Sequence, residues 1–461
     1  MHTMYIINCC VGITFLLCYA YQLFYIGVTL VKKQKPHTGE IKLHRFAVMI
    51  SARNEEKVIG GLIESIKTQD YPSDLITVFV VADNCSEGDR TAEIARKAGA
   101  VVYVREDKEK IGKGFALEFL LSKISDDYKR DAFDAFFVFD ADNILSPDYI
   151  TEMNKTYCDG YRVLTSYRNS KNYGDNWISA GYALWFLREA KYLNNSRMIL
   201  GTSCAISGTG FMIDRSIFEN EEGRLEWKYF LLTEDIEFTA ANVVNGEIIG
   251  YCDNAVFYDE QPVSFKQSWN QRMRWAKGYL QVYAGYGRRM LCGIFKKREK
   301  KENYPAKRDM RAFSCFDMTM TTMPAMILSG FLAVADILAA FILLIGFGQV
   351  KNAMLLFSMP IINASILVYL IGLITTVTEW KNIHTKNYKK ILYSFTFPFF
   401  MLTYIPIALV SPFKKKVEWK HIDHSRSVTL DEIKSEGGEK LDVPSVRIKI
   451  APKAEDNNKQ F

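Results

Sequence analysis

Several things are missing from this chain, and each absence narrows its class. None of its nine cysteines forms a CxxC pair. Cys9, Cys10 and Cys18 fall in an apolar stretch and Cys85 in a predicted loop, so the thiols are read as reduced, with no disulfide framework and no cysteine zinc site. His421 and His424 have ligand-like spacing but no cysteine near them, and are read as a pair in a polar tail. A strong charge bias is also missing: net charge is +6 over 461 residues. Its basic residues gather beside apolar segments, which suits a membrane surface and argues against nucleic acid as a partner. The N-terminus lacks the basic start, short apolar region and small-residue cleavage site of a signal peptide.

What is present is apolar sequence in long runs. Residues 5–31 are almost uncharged and, at ~1.5 Å per residue, make ~40 Å of helix, enough to cross a bilayer with some tilt. Lys32, Lys33 and Lys35 follow at once and place the next residues in the cytoplasm. Three further apolar segments follow a central domain: Phe313–Phe347, divided at Pro324; Ala353–Thr378; and Ile391–Phe413, which carries Pro398 and Pro406. Basic residues at 296–311 keep the approach to them cytoplasmic. Three crossings would put the tail outside, whereas Lys414, Lys415 and Lys416 ask for the cytoplasm, so the third segment either crosses or re-enters at its prolines. The expected domains are an anchor at 1–35, an α/β domain at 43–262, interfacial amphipathic helices at 263–312, a membrane region at 313–413 and a polar, partly disordered tail at 414–461. The expected location is a bacterial cell membrane, crossed several times, in contact with lipid.

Between the anchor and the later segments, apolar runs alternate with helical stretches. Strands are expected at 46–50, 76–81, 101–104 and 135–139, with helices at 55–68, 91–98 and 114–124; this is the pattern of right-handed βαβ units and a mostly parallel sheet. Further on, a helix is expected over 177–192, a strand at 211–213 and a helix from about Thr233. The run Phe136–Phe139 ends abruptly in Asp140-Ala141-Asp142. If strand geometry persists, the two carboxylates share a face and could hold a hard divalent cation. Alone, such a pair is commonplace.

Other residues sit where they could share a crevice at the carboxyl edge of such a sheet. Glu55 follows strand one in Ala52-Arg53-Asn54-Glu55. Asp83 ends strand two, where a carboxylate can bond a base or ribose or simply cap a helix. Lys113 stands between glycines at a helix start, an arrangement that suits a diphosphate. In Thr233-Glu234-Asp235 either acid could act as a general base towards a hydroxyl. Gln271, Arg274 and Trp275 lie at i, i+3 and i+4, which puts an amide, a guanidinium and an indole on one helix face. Arginine can clamp a pyrophosphate, and indole can stack on a sugar ring.

Taken in order, ARNEE at 52–56, DNCSEGDRT at 83–91, GKG at 112–114, DADN at 140–143, TED at 233–235 and QRMRW at 271–275 resemble the motifs of membrane-integrated family 2 glycosyltransferases. The resemblance implies a GT-A fold, an α/β domain with a Rossmann-like, mostly parallel sheet, flanked by transmembrane and interfacial helices. It implies that Asp83 contacts the uracil of a UDP-sugar and that Glu55 and Lys113 help hold the nucleotide. Asp140 would face the donor sugar and Asp142 would bind Mg²⁺ or Mn²⁺. Asp235 would be the base, Gln271 and Arg274 would cap the diphosphate, and Trp275 would support the acceptor sugar. The QxxRW motif followed by membrane helices is similar to the processive synthases of cellulose, chitin, hyaluronan and poly-N-acetylglucosamine. That implies inverting transfer to a growing β-linked polysaccharide, with export, through partner subunits if needed. The small number of membrane segments keeps a glycolipid-forming transferase with a lipid acceptor as the alternative. A non-catalytic membrane scaffold is a third reading, disfavoured by the intact Asp140, Asp142 and Asp235.

Overall fold

The computed structural model describes residues 2–296, 309–322, 324–415, 417, 424 and 426–437. The basic residues Lys297, Arg298, Lys300, Lys301, Lys307 and Arg308, as well as Lys416, His421 and the tail beyond residue 437, lie outside the described residues.

Helix α1 (His2–Val31) precedes the domain. The domain begins with strand β1 (Phe46–Ala52), helix α2 (Ile59–Lys67), β2 (Ile76–Asp83), α3 (Thr91–Lys97), β3 (Val101–Arg105), α4 (Lys113–Asp127) and β4 (Ala135–Asp140). After β4 come β5 (Ile144–Leu145), α5 (Tyr149–Cys158) and β6 (Val163–Ser170). Helix α6 (Trp177–Arg188) runs through a π-helical turn, Glu189–Asn194, into α7 (Asn195–Leu200). Then follow β7 (Phe211–Asp214), α8 (Arg215–Phe218), α9 (Glu234–Asn245) and β8 (Ile249–Asp259).

The strands form one eight-stranded sheet in the order β3-β2-β1-β4-β7-β6-β8-β5. Its first four strands are mutually parallel, and β7 is antiparallel to both β4 and β6. β1 and β4 are central and covered on both faces, which is why they read as unbroken apolar runs. Alternate residues feed two cores. Met49, Phe79, Phe136 and Val138 pack on one face with residues of α4 and α6, and Val48, Val80, Phe137 and Phe139 pack on the other with α2 and α5. β6 and β8 went unpredicted because β6 carries buried polar residues, Thr165, Ser166 and Asn169, in place of an apolar run.

Beyond the sheet, α10 (Phe265–Phe295) is a single 31-residue helix where several interfacial helices were expected. Gly278 lets it close on Thr233, whose side chain would lie 2.5 Å from a Cβ there. Next come α11 (Arg311–Thr322), α12 (Pro324–Phe347) and α13 (Val350–Thr378). The last apolar segment divides at Thr403 into α14 (Asn387–Leu402) and α15 (Tyr404–Val410). Among the described residues, four helical stretches are long and apolar enough to cross a membrane: Met4–Val31, Arg311–Phe347, Val350–Thr378 and Asn387–Phe413. The fourth also packs on the domain, because Tyr393, Phe397 and Phe400 of α14 join the core that α6 shares. The approach is so close that a Cβ on Gly181 would lie 2.4 Å from the Phe400 ring.

Buried polar junctions tie the long apolar helices to the domain. The guanidinium of Arg197 makes paired 2.8 Å bonds to Asp317, which also accepts 2.8 Å bonds from Tyr21 and Tyr25 of α1. Arg272 of the QRMRW motif is fully buried. It donates to Phe400 O and to Thr403 Oγ1 and lies over the Phe400 and Tyr404 rings, so it fastens α10 to α14 and α15. Near the C-terminus a short helix, α16 (Leu430–Ser435), starts with a capping box at Thr429 and buries Ile433.

Candidate active site

The carboxyl ends of β1, β2 and β4 open onto a cavity of about 350 Å³. Glu55, Asp83, Lys113, Asp140, Asp142, Asp235, Gln271, Arg274 and Trp275 all line it, so residues from the sheet edge, from α9 and from α10 meet in one space.

At one end the loops after β1 and β2 are pinned together. Asn54 and Asn84 both adopt positive φ, 57° and 51°, a conformation asparagine tolerates better than most residues. Asn54 exchanges two hydrogen bonds with Ser86, at 2.8 and 3.0 Å. Asp83 accepts a 2.6 Å bond from Arg105, which also reaches Asp107. Burial pushes the Asp83 carboxyl up, and the arginine pulls against it.

The strand-end pair behaves differently from an ideal strand. β4 stops at Asp140, and the Asn143 N–H turns back to the Asp140 carbonyl at 3.2 Å. Side-chain alternation therefore does not carry through to Asp142. Asp140 pairs with Lys113, which also donates to Gly208 O at 2.7 Å. Asp142 is buried and accepts a 2.7 Å bond from the Glu260 N–H. Its burial would raise the carboxyl, yet the charges of His424 and Lys171 outweigh this and hold it below the usual range.

His424, read from sequence as half of a tail pair, is in fact in this cavity. The tail folds back over the domain: the Arg426 N–H donates to Glu260 at 3.0 Å and its guanidinium to Asp175 at 2.7 Å. This brings His424 Nδ1 within 3.0 Å of Glu55 Oε1. Burial opposes protonation, but Asp142, Glu55 and Glu260 push the imidazole up to about 10. Burial pushes Glu55 up to about 7 despite that partner. No local pattern marks His424, because a contact spanning this much sequence leaves no periodicity.

Oxygen donors of this kind suit Mg²⁺ or Mn²⁺ by chemistry. Among the described residues no three His, Cys, Asp or Glu side chains converge into a metal cage. Asp142 is the residue that would hold such a cation.

At the other end, α9 begins at Glu234 and directs Asp235 into the cavity. Burial and the adjacent Glu234 carboxylate push Asp235 up to about 7, against Lys113 and Arg274. A carboxyl tuned near neutrality is suited to general-base work. Beside it, the Trp275 indole is fixed edge-on between Tyr182 and Phe186, at centroid distances of 5.7 and 6.3 Å. Gln271 Oε1 is buried and accepts no hydrogen bond among the described residues. Arg168 and Glu189 complete this wall; sequence reading missed both, since neither lies in a motif.

Comparison with known proteins agrees with this architecture. The chain is 27% identical over 278 residues to a probable glycosyltransferase, YdaM, of Bacillus subtilis, covering 56% of this chain and 60% of that protein. It is 26% identical over 247 residues to a beta-monoglucosyldiacylglycerol synthase of Synechocystis sp., covering 52% and 49%. The chain thus spans less than two thirds of the length of either curated relative. Among solved structures, the mannosyltransferase PcManGT of Pyrobaculum calidifontis, in complex with GDP-Man and Mn²⁺, aligns with a TM-score of 0.54 at 14% identity, over 88% of this chain and 99% of that one. That likeness carries the fold, a GT-A arrangement with a mostly parallel sheet. The family model described as glycosyltransferase like family 2 matches residues 44–278, just over half of the chain, and the chain belongs to that family.

Proposed function

We propose that the protein is an inverting, membrane-bound glycosyltransferase that moves a sugar from a UDP-sugar to a hydroxyl of a growing β-linked glycan. The observation that carries this reading is the convergence of Asp140, Asp142, Asp235 and Arg274 on one cavity. Asp83 lies at the end that would take the uracil, and Lys113 and Arg274 supply positive charge where a diphosphate would lie. Gln271, with its unpartnered buried oxygen, would bond the donor beside Arg274, and Glu55 would help hold the nucleotide. Asp140 would contact the donor sugar.

Asp235 accepts the proton of the acceptor hydroxyl. The acceptor oxygen bonds to the anomeric carbon as the bond from that carbon to the diphosphate oxygen breaks, and UDP leaves with that electron pair. Arg274 and Lys113 stabilise the charge that builds on the diphosphate. A divalent cation at Asp142 would add Lewis-acid stabilisation of the same charge, and the Mn²⁺ named with PcManGT supports that expectation. Trp275 offers the acceptor ring a flat apolar face.

The lysines after α1 support a cytoplasmic catalytic domain at a cell membrane, and the helices beyond α10 supply a route by which polymer could be exported, alone or with partner subunits. Similarity to beta-monoglucosyldiacylglycerol synthases favours a second reading, transfer of one sugar to a lipid acceptor. Supplying purified protein with Mg²⁺ or Mn²⁺ and a panel of UDP-sugars, then sizing the product, decides between them: polymer supports the first, a lipid bearing one sugar the second.

A further inference from the structure

Glu189 is one of the cavity-wall carboxylates to which the reaction proposed above gives no part. Glu189 lies where α6 widens into the π-helical turn Glu189–Asn194. Such turns are rare, occur as single-turn bulges inside α-helices and are frequent at functional sites. Glu189 Oε1 accepts a hydrogen bond from Ser207 Oγ, while Oε2 accepts none among the described residues. The nearby cation does not take it up: Arg168 donates to Asp259 at 2.8 Å and to Ser207 O at 2.8 Å, and stacks 3.5 Å over the Phe186 ring. A carboxyl oxygen on a cavity wall is an acceptor waiting for a donor.

Its position relative to Asp235 is what gives it a task. Ser207, which holds Glu189, is followed directly by Gly208, where a Cβ would stand 3.7 Å from Asp235 Oδ2. The two carboxylates therefore flank the same turn. Gly208 also has φ +83°, a conformation that favours glycine, and with no side chain there the space beside Asp235 stays clear. The indole of Trp275 shares this end of the cavity. Hydroxyl-accepting carboxylates beside an aromatic face are what a sugar ring requires; the lone hydroxyl of a diacylglycerol would use only one of them.

We propose that Glu189 binds a second hydroxyl of the acceptor while Asp235 deprotonates the first, so that the site selects a polyhydroxylated acceptor, a sugar end, over a mono-alcohol lipid. This rests on the transferase reading and deepens it by naming the acceptor class. Glu189 is an acceptor-binding residue here and takes no part in proton transfer.

The test compares wild type with Glu189→Gln and Glu189→Asp. The amide oxygen of glutamine still accepts from Ser207, but its NH₂ cannot accept from a substrate; aspartate keeps the charge and is too short to reach both groups. UDP release without acceptor, from UDP-glucose, UDP-N-acetylglucosamine, UDP-galactose and UDP-glucuronate, reports the fold and the donor end. Transfer to cellopentaose and chitopentaose, and to dioleoylglycerol in mixed micelles, reports the acceptor end. The expected result is acceptor-free UDP release within about twofold of wild type, a KM for the oligosaccharide raised about tenfold or more in both variants, and little transfer to dioleoylglycerol. An unchanged KM, dioleoylglycerol used as well as the oligosaccharides, or UDP release falling in parallel with transfer would each overturn it. Wild type that releases UDP from no donor would instead sink the transferase reading, and the inference with it.

Discussion

Raising the pH from 6 to 8 should raise kcat/KM about tenfold, because Asp235 must be ionised to accept a proton and its burial beside Glu234 pushes it up to about 7. With that value the ionised fraction climbs from about one tenth to about nine tenths across the window. An ordinary aspartate, titrating near ~4, would be ionised throughout and give a flat profile. kcat/KM is the right quantity, since it reports the free enzyme, whose geometry is the one described. The assay is UDP release with oligosaccharide acceptor present, at subsaturating donor and saturating metal, in constant-ionic-strength buffers from pH 5 to 9. Several other titratable groups line the same cavity, and Glu234, His424 and Glu55 need controls; burial raises Glu234 too, so Glu234→Gln must also keep the rise. His424 is pushed up to about 10 and stays charged across the window. Glu55 is also pushed up to about 7, so Glu55→Gln must keep the rise if Asp235 is its origin. A flat profile between pH 6 and 8, or a rise that disappears in Glu55→Gln, would refute the assignment of the base.

Other perturbations have worked-out directions. Asp235→Asn should stabilise the protein at pH 8 by about 1–3 kcal/mol, after allowing for solvent screening of a half-buried group. The sign follows from a folded value above the unfolded one: the ionised carboxylate costs stability as pH climbs from ~4 to about 7. The gain should therefore shrink towards zero near pH 4, as thermal unfolding in detergent would show. Asp317→Ala strands the buried Arg197 guanidinium and removes the acceptor for Tyr21 and Tyr25; a loss of about 3–5 kcal/mol is expected, read as a lower unfolding midpoint. Gly181→Val puts a side chain where the Phe400 ring already stands, 2.4 Å from its Cβ position. It should cost about 1–3 kcal/mol and loosen α14, measurable as faster proteolysis of that helix.

Much of the sheet edge that lines the cavity was legible in the sequence for a simple reason: parallel strands buried on both faces must be apolar, and the turns at their carboxyl ends then stand out as polar. Phe136–Phe139 followed by Asp140 shows this directly. The pattern failed where burial and apolarity part company. β6 buries Thr165, Ser166 and Asn169, so no apolar run announces it, and β8 was lost with it. Asp140 and Asp142 were expected on one strand face; they reach one cavity through a turn instead, because β4 ends at Asp140. His424 and Glu189 owe their positions to long-range folding, one to a tail that returns across the domain and the other to a π-helical turn, and neither leaves a periodic trace. Arg272, adjacent to the residues predicted to contact the donor, faces the opposite way and serves to join α10 to α14.

The most direct measurement is UDP release by the purified protein, in detergent with Mg²⁺ or Mn²⁺ and with oligosaccharide and lipid acceptors present, across the panel of UDP-sugars, with Asp142→Asn and Asp235→Asn in parallel. Turnover of at least one donor, abolished by chelation and by Asp142→Asn and reduced by about 10²–10⁴-fold in Asp235→Asn, is the predicted result. No turnover of any donor by the wild-type protein, or full turnover by either variant, would contradict it.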